Sequence, residues 1–347
     1  MNPLILSIST LSLGLGTTMT LIASHWLLVW AGLEINTMAI IPLMIHQHHP
    51  RATEATTKYF LIQATASALL LFAGITNAWS TGQWNLMDTL TPSSITLLSI
   101  ALALKIGLAP LHFWLPEVLQ GLTLTTGLIM TTWQKIAPFA ILLQLSPHLN
   151  PTLLIFLGAL SIAIGGWGGL NQTQLRKILA YSSIAHIGWM VIILHYSPSL
   201  TFLNLIIYII MTSSLFLLLN YNNSTKINSI TTSSTKSPLL TIATMLTLLS
   251  LGGLPPLTGF MPKWLILQEM TKQNLSITAS AVALTTLLSL FFYLRLCYTL
   301  TLTLTPTPIT FSSSWRTKPQ PHLILTLTSP LSLLLLPLTP MVTSLIM

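Results

Sequence analysis

Long apolar runs, separated by short polar connectors, make up most of the chain. A helix needs about 20 predominantly apolar residues to cross a bilayer, and about eleven runs come near that length. The predicted spans are 3–22, 25–45, 57–79, 93–121, 124–145, 150–171, 174–195, 200–221, 239–271, 276–303 and 323–345. Three polar connectors are longer than the others, at 46–58, 222–238 and 306–321. The pattern predicts an all-α polytopic membrane protein in which residues 1–347 form one membrane domain.

Composition agrees with a membrane location. The chain is 52% hydrophobic and only 5% charged, whereas soluble domains carry about 25% charged residues. The net charge of +8 is the kind of excess that sets loop orientation in a membrane protein. No basic and aromatic patch of the kind that binds nucleic acid is visible, so we expect lipids and protein subunits, and no nucleic acid, as partners.

Two predicted spans, 93–121 and 239–271, are too long for one straight helix, and both contain proline and glycine. The segment "GLAPLHFWLPEVL" (107–119) aligns without gaps on "GLPPLTGFMPKWL" (253–265), with matching glycines, leucines and prolines. The copies lie on the fourth and ninth spans, and because this offset of five is odd, they cross the membrane in opposite directions. This arrangement indicates two inverted five-helix repeats, 3–145 and 150–303, each with a broken helix, followed by a terminal helix at 323–345. A chance match in a leucine-rich chain is the alternative.

The predicted connectors differ strongly in charge between the two sides of the membrane. Those on the side of the N-terminus hold one acid, Glu54, and the basic residues Arg51, Lys58, Arg176, Lys177, Lys226, Lys236, Arg316 and Lys318. Those on the far side hold only Lys272 and Asp88. Basic loops stay on the inner side. We therefore expect the N-terminus on the matrix or cytoplasmic side and the C-terminus opposite.

Four ionisable residues fall well inside predicted spans: Glu34, Lys105, Lys135 and Lys263. A charge at the bilayer centre costs about 2.5–3.5 kcal/mol on insertion scales, so such residues commonly mark ion or proton pathways. Snorkelling to the interface is the alternative, and it suits the mid-span Lys105 and Lys135 poorly. A broken helix frees backbone groups that require protein or a water-filled cavity. The pattern predicts a proton path in which Glu34 is the carboxylate partner of Lys105.

Two histidines and a further acid are less clearly assigned. His112 lies inside the first break and His186 lies mid-span, and imidazole titrates near neutrality. Each histidine is either a proton relay or a hydrogen-bonded packing residue. Glu117, which aligns with Lys263 in the repeat, either serves the inner mouth of the path or is an interfacial charge.

The sequence offers no redox chemistry of its own. The single cysteine, Cys297, excludes an intramolecular disulfide and any cysteine-ligated iron–sulfur cluster. The tract "HQHH" (46–49) has no cysteine or acidic partner at ligand spacing, so we expect no metal site there. No G-x-G-x-x-G follows a strand. We expect this chain to bind no cofactor.

The charged and proline-containing motifs resemble those of a known family. Glu34, "LALKIGLAPLHFWLPEV" (102–118), "TTWQKIAP" (131–138) and "LSLGGLPPLTGFMPKW" (249–264) are similar to the antiporter-like membrane subunits of respiratory complex I. The opening "MNPL" and the length are similar to vertebrate mitochondrial members, and the similarity covers the whole chain. The resemblance implies that Glu34 and Lys105 are an interacting pair, that Lys135 is the central relay and that Lys263 is the exit-side group.

The same resemblance implies a function and a location. The chain would be a membrane subunit of the proton-translocating NADH:ubiquinone reductase in the mitochondrial inner membrane, with its N-terminus in the matrix and its C-terminus in the intermembrane space. NADH, FMN, iron–sulfur clusters and ubiquinone would belong to partner subunits. A free-standing cation/proton antiporter would share the broken helices and buried lysines, and a structural scaffold could retain the fold without transport. The near-absence of soluble loops favours a subunit.

Overall fold

The structure is a computed structural model that describes residues 3–46, 49–86, 90–233, 238–302 and 323–346. These residues form helices, with two isolated β-bridges between connectors, and confirm the all-α prediction. In chain order the helices are α1 (Pro3–Ile22), α2 (Trp26–Ile45), α3 (Pro50–Thr81), α4 (Pro92–Ile106), α5 (Trp114–Gly121), α6 (Leu124–Thr131), α7 (Trp133–Gln144), α8 (Pro151–Gly169), α9 (Leu175–Ile193), α10 (Pro198–Tyr221), α11 (Ile227–Ser233), α12 (Pro238–Gly252), α13 (Phe260–Lys272), α14 (Ser276–Leu302), α15 (Leu323–Leu334) and α16 (Thr339–Ile346).

Six of the described helices are long and apolar enough to cross a membrane on their own: α1, α2, α3, α8, α10 and α14. Three shorter apolar helices, α4, α12 and α15, add to them. Two of these, α4 and α12, are the first halves of the predicted broken spans. The architecture is therefore a membrane helix bundle that contains both full-length and interrupted helices.

The predicted span 93–121 is divided into α4 and α5 by an irregular segment at 107–113. Gly107 has a φ of 84°. Glycine adopts this left-handed conformation without strain because it has no Cβ. The N–H groups of Gly107 and Leu108 both donate to the carbonyl of Ala103, at 2.9 Å each. These two bonds close the helix in the manner of a glycine C-cap.

The predicted span 239–271 is interrupted in the same way, between α12 and α13. Gly253 has a φ of 81°. The N–H groups of Gly253 and Leu254 both donate to the carbonyl of Leu249, at 3.1 and 3.4 Å. Donors and acceptor stand at the same sequence spacing as in the first break. The two aligned segments therefore end their first half-helices with one and the same cap.

A further interruption, which the sequence did not indicate, divides the predicted span 124–145 at Thr132. Helices α6 and α7 flank this residue. The N–H of Lys135 donates to the carbonyl of Thr132 at 3.3 Å, three residues back instead of the four of an α-helix. The expectation of one continuous fifth span was therefore wrong. The interruption was not foreseen because no glycine or proline marks its position.

Two other predicted elements differ from the structure. The span 323–345 is not one helix: α15 and α16 are separated by a 3₁₀ turn, Leu336–Leu338, that contains Pro337. Proline has no N–H and cannot continue the helical ladder. The connector 222–238 contains the short helix α11. The connector 306–321, and the charged residues Asp88, Lys236, Arg316 and Lys318, lie outside the described residues.

Helices α8 and α9 approach each other closely through small residues. A Cβ on Gly188 would lie 2.2 Å from Ser161 Oγ, 2.7 Å from Ile162 Cγ1 and 2.8 Å from the carbonyl oxygen of Gly158. A Cβ on Gly158 would lie 2.4 Å from Ile192 Cγ1. Small residues allow membrane helices to pack backbone against backbone. This contact fixes α9, which carries His186, against α8.

We expect Gly188→Ala to destabilise the protein, because the new methyl group must push α8 and α9 apart. Overpacking a tight site costs about 1–3 kcal/mol. Gly14→Ala is the matched control, since a Cβ on Gly14 meets nothing within 4 Å, and alanine favours the helix. The measurement is the thermal unfolding midpoint of the detergent-purified protein in its native assembly. Equal midpoints for Gly188→Ala and the unsubstituted protein would show that the helices are not packed as described.

Candidate functional site

Lys105 lies in the last turn of α4, directly before the first break, and is buried. The carbonyls that the break releases are partly satisfied by side chains. Trp114 Nε1 donates to the carbonyl of Leu104 at 3.1 Å, and Gln63 Nε2 donates to the carbonyl of Lys105 at 3.4 Å. The Lys105 ammonium itself has no hydrogen-bond partner among the described residues. Its charge is favoured by the negative end of the α4 dipole.

Glu34 lies on α2 and is half-buried. Its Oε2 accepts a hydrogen bond from Thr37 Oγ1 at 2.9 Å. The carboxylate also acts electrostatically on Lys105 and on the hydroxyl of Tyr59. The structure thus brings Glu34 and Lys105 into one electrostatic neighbourhood, without a direct hydrogen bond between them.

A cavity of about 20 Å³ joins Lys105 to Lys135. Its polar lining, apart from the two lysines, consists of Asn36, Thr37, Tyr59, Gln63 and Gln134. A single water molecule needs about 10–15 Å³ measured in this way, together with polar partners. The amide nitrogen and oxygen of Asn36 are buried and have no partner among the described residues. The cavity is therefore large and polar enough to hold water between the two lysines.

Lys135 lies just after the interruption at Thr132 and is buried. Its ammonium donates to the hydroxyl of Tyr208 at 3.2 Å and lies 5.2 Å from the centre of the same ring. The Tyr208 hydroxyl donates in turn to the carbonyl of Thr131 at 3.1 Å. That carbonyl stands four residues before Lys135, whose N–H bonds to Thr132 instead. The interruption therefore supplies the acceptor that holds Tyr208 against the lysine.

His186 lies on α9 and is buried. Its ring centre is 5.7 Å from that of Tyr208. Both Lys135 and Lys263 act on it electrostatically. His186 is thus a ring neighbour of Tyr208 and lies within electrostatic reach of both lysines.

Lys263 lies in the first turn of α13 and is half-buried. Its ammonium reaches back across the break and donates to the carbonyls of Gly252 at 2.9 Å and Leu251 at 3.4 Å. A Cβ on Gly253 would lie 2.9 Å from this ammonium, so the glycine also leaves room for the side chain. Although Lys263 belongs to an N-terminal turn, its charge rests at the C-terminal end of α12, where the helix dipole favours it.

His112 and Glu117 do not line the cavity that Lys105 and Lys135 share. His112 is buried in the first break, its Nδ1 has no hydrogen-bond partner among the described residues, and its ring centre is 6.4 Å from that of Tyr181. Glu117 Oε2 is 2.8 Å from Lys58 Nζ, which also contacts Glu54 at 2.7 Å. Glu117 is therefore part of an exposed ion-pair network at the end of α5.

One histidine of the "HQHH" tract caps a helix. His49 Nδ1 accepts from the N–H of Arg51 at 3.1 Å and so caps the first turn of α3. Positions 47 and 48 lie outside the described residues.

Several site residues were missed by sequence reasoning. All lie within predicted spans: Tyr59, Asn36, Gln63 and Gln134 line the cavity, and Tyr208 contacts Lys135. Each is a polar residue at mid-span depth, which is a usable signal. Their partners could not be assigned without knowing which helix faces meet.

Comparison with known proteins identifies the family. The family model described as NADH:quinone oxidoreductase/Mrp antiporter, TM, matches residues 23–289. The model of the NADH dehydrogenase subunit 2 C-terminus matches residues 290–343. Together these two models extend over the broken helices, all four ionisable residues and the C-terminal helices.

Named relatives and a solved structure agree with these models. NADH-ubiquinone oxidoreductase chain 2 of Squalus acanthias is 75% identical over 298 residues, which is 86% of each chain. The protein of that name from Scyliorhinus canicula is 69% identical over 343 residues, 99% of each chain. A chain of respiratory complex I from Thermus thermophilus, solved with bound Aureothin, matches with a TM-score of 0.80 and 30% identity, over 95% of this chain and 78% of that one. The chain therefore belongs to the NADH-ubiquinone oxidoreductase chain 2 family of antiporter-like membrane proteins.

Proposed function

We propose that the chain is a membrane subunit of the respiratory NADH:ubiquinone oxidoreductase and that it carries protons across the mitochondrial inner membrane. The relatives bear the name of that enzyme, and this chain supplies buried ionisable groups instead of redox centres. NADH, FMN, the iron–sulfur clusters and ubiquinone would be bound by partner subunits. The observation that carries the proposal is the cavity shared by Lys105 and Lys135.

The energetic argument begins with the cost of buried charge. Each lone ammonium at mid-membrane depth costs several kcal/mol, on the order of 3, unless it finds water or a partner. Lys105 lines the cavity and lies in the electrostatic field of the Glu34 carboxylate. Lys135 lines the same cavity and donates a hydrogen bond to the Tyr208 hydroxyl. A group that is stabilised by water and by a nearby carboxylate gains and loses its proton as either one changes.

The second part of the path runs from Lys135 to Lys263. His186 feels the charge of both lysines and is an ionisable group of suitable chemistry for transfer. A proton on Lys135 raises the electrostatic cost of a proton on His186, and the same holds for His186 and Lys263. Charges in such a row move in sequence, because each transfer relieves the repulsion ahead of the next. His112 lies beside the first break, and we place it on a side branch towards Tyr181.

The orientation and the repeat are part of the same proposal. Predicted same-side connectors meet in space: His25 pairs with Asn85, and Gln174 pairs with Lys226. Together with the charge bias, these contacts support an N-terminus in the matrix and eleven spans. The identical caps at Gly107 and Gly253 support two inverted repeats. An experimental structure in which α4 and α12 run parallel would contradict the repeat.

A free-standing cation/proton antiporter is the competing function, because the matched family model also includes Mrp antiporters. The two functions differ in what the protein is bound to. A complex subunit co-migrates with NADH dehydrogenase activity on a non-denaturing gel. A free antiporter migrates alone and exchanges cations for protons after reconstitution, an outcome that would replace the present proposal.

We expect Lys105→Met to lower proton pumping by about tenfold or more, because it removes an ionisable group from the path and keeps most of the volume. Electron transfer coupled to pumping should fall with it, while assembly is retained. Lys105→Arg keeps the charge but does not release its proton at working pH, so it should pump no better. The measurement is proton uptake by proteoliposomes that contain the purified complex and oxidise NADH.

Lys272→Met is the matched control for this experiment. Lys272 is an exposed lysine at the end of α13, 3.4 Å from Glu269, and lies outside the proposed path. It should pump like the unsubstituted protein. Normal pumping by Lys105→Arg would show that Lys105 is a fixed structural charge and not a relay.

We expect Lys226→Cys to be labelled by a membrane-impermeant thiol reagent only from the matrix side, and Lys272→Cys only from the intermembrane-space side. The two residues lie on connectors of opposite predicted sides, and the natural Cys297 is buried. Labelling of this chain in mitoplasts and in inverted vesicles measures the difference. The reverse pattern would invert the proposed orientation.

A further inference from the structure

Tyr208 occupies the centre of the path, although it is not an obvious charged residue. It lies on α10 and is 2% exposed. Its hydroxyl accepts from Lys135 Nζ at 3.2 Å and donates to the carbonyl of Thr131 at 3.1 Å. A buried tyrosine hydroxyl requires partners, and here one partner is an ionisable lysine. The hydroxyl oxygen is thus already in position to receive a proton from Lys135.

The other side of the same hydroxyl faces α9. Ser183 is a side-chain neighbour of the Tyr208 hydroxyl, and its own hydroxyl donates to the carbonyl of Ala180 at 2.7 Å. The His186 ring centre is 5.7 Å from the tyrosine ring centre. Ser183 and His186 are three residues apart on one helix, so they share a face. Tyr208 therefore lies between the Lys135 ammonium on α7 and the Ser183 and His186 side chains on α9.

We propose that the Tyr208 hydroxyl is a proton-carrying group that connects Lys135 to His186. This inference rests on the proposed proton path and names a further residue within it. In the transfer, an N–H bond of the Lys135 ammonium breaks and an O–H bond forms at Tyr208. The original Tyr208 O–H bond breaks as its proton forms an O–H bond at Ser183, and the original Ser183 O–H bond breaks as that proton forms an N–H bond at a ring nitrogen of His186. Lys135 becomes neutral, His186 becomes an imidazolium, and Tyr208 and Ser183 end as neutral hydroxyls.

The geometry also explains how the transfer is gated. While the Tyr208 proton points at the carbonyl of Thr131, the path to α9 is interrupted. Rotation of the hydroxyl away from this carbonyl opens the path, and the carbonyl then lacks a donor. An unpaired buried carbonyl costs about 1–3 kcal/mol, so the open state is short-lived and the hydroxyl returns. The carbonyl freed by the helix interruption thus acts as the resting position of the proton.

A simple positioning role makes a different prediction. The tyrosine ring alone attracts the ammonium, whose nitrogen lies 5.2 Å from the ring centre. Phenylalanine keeps this ring and removes only the hydroxyl. If Tyr208 merely holds Lys135 in place, Tyr208→Phe retains most of its function.

The test compares the intact purified complex carrying Tyr208→Phe with one carrying Lys135→Met, in proteoliposomes that oxidise NADH. We expect Tyr208→Phe to lower the proton-pumping rate and the protons moved per NADH, with the rate falling by about tenfold or more, since a positioned proton-transfer group contributes about 100-fold or more to its own step. NADH oxidation by a hydrophilic artificial acceptor should be unchanged, as should the amount of assembled complex. A defect of assembly alone would change that amount and leave protons per NADH intact.

Tyr293→Phe is the matched control. Tyr293 is as buried as Tyr208 and also has a serine, Ser182, as a side-chain neighbour of its hydroxyl, but among the described residues that hydroxyl makes no hydrogen bond to an ionisable side chain. It should pump normally. An equal loss in Tyr293→Phe would overturn the inference, because any buried hydroxyl would then have the same effect.

The remaining outcomes separate the inference from the proposed function. Normal pumping by Tyr208→Phe together with loss in Lys135→Met overturns the inference and leaves the path intact. Normal pumping by Lys135→Met overturns the path itself. If Tyr208→Phe does not assemble, Ser183→Ala decides, since it leaves Tyr208 and Thr131 in place. Reduced protons per NADH in Ser183→Ala supports the transfer, and an unchanged value overturns it.

Discussion

The structure depends on one constraint: inside a bilayer, a backbone carbonyl released from a helix and a lysine ammonium both need partners that lipid does not provide. The protein meets the two needs together. Lys105, Lys135 and Lys263 each lie at a helix interruption. At each one, side-chain donors satisfy released carbonyls: Trp114 and Gln63 at the first, Tyr208 at the second, and Lys263 itself at the third. The interruptions are thus the feature that lets charge remain at depth.

The two broken helices reach the same electrostatic result from different residues. In the first, Lys105 belongs to the last turn of α4. In the second, the aligned position is Leu251, and the charge comes from Lys263, which reaches back to the carbonyls of Leu251 and Gly252. Both ammonium groups thus lie at a helix C-terminus, where backbone dipoles attract them. The repeated backbone conserves the place of the charge, while the residue that supplies it differs.

Sequence reasoning located the features that rest on composition and on glycine and proline. The helical class and both broken helices followed from apolar length and from the motifs at Gly107 and Gly253. The interruption at Thr132 was missed because it depends on a tertiary contact: the Thr131 carbonyl is bound by Tyr208 from another helix. The reach of Lys263 was missed for a related reason. The position of Lys263 on its helix indicates only where the side chain begins. Its ammonium group lies on the other side of the break, at the carbonyls of Leu251 and Gly252.

The two halves of the proposed path differ in what connects their charges. Between Lys105 and Lys135 lies a cavity of about 20 Å³, so the connection depends on water that enters or leaves with small movements of its polar lining. Between Lys135 and Lys263 the neighbours are side chains, Tyr208 and His186, held by packed helices. A hydration-dependent link can be opened or closed by movements of a few tenths of an ångström, since a space near the size of one water is close to the limit for occupancy. A link made of side chains does not depend on hydration, and it transfers only in order. We therefore expect control of the path to lie at the Glu34 and Lys105 end, with the second half following it.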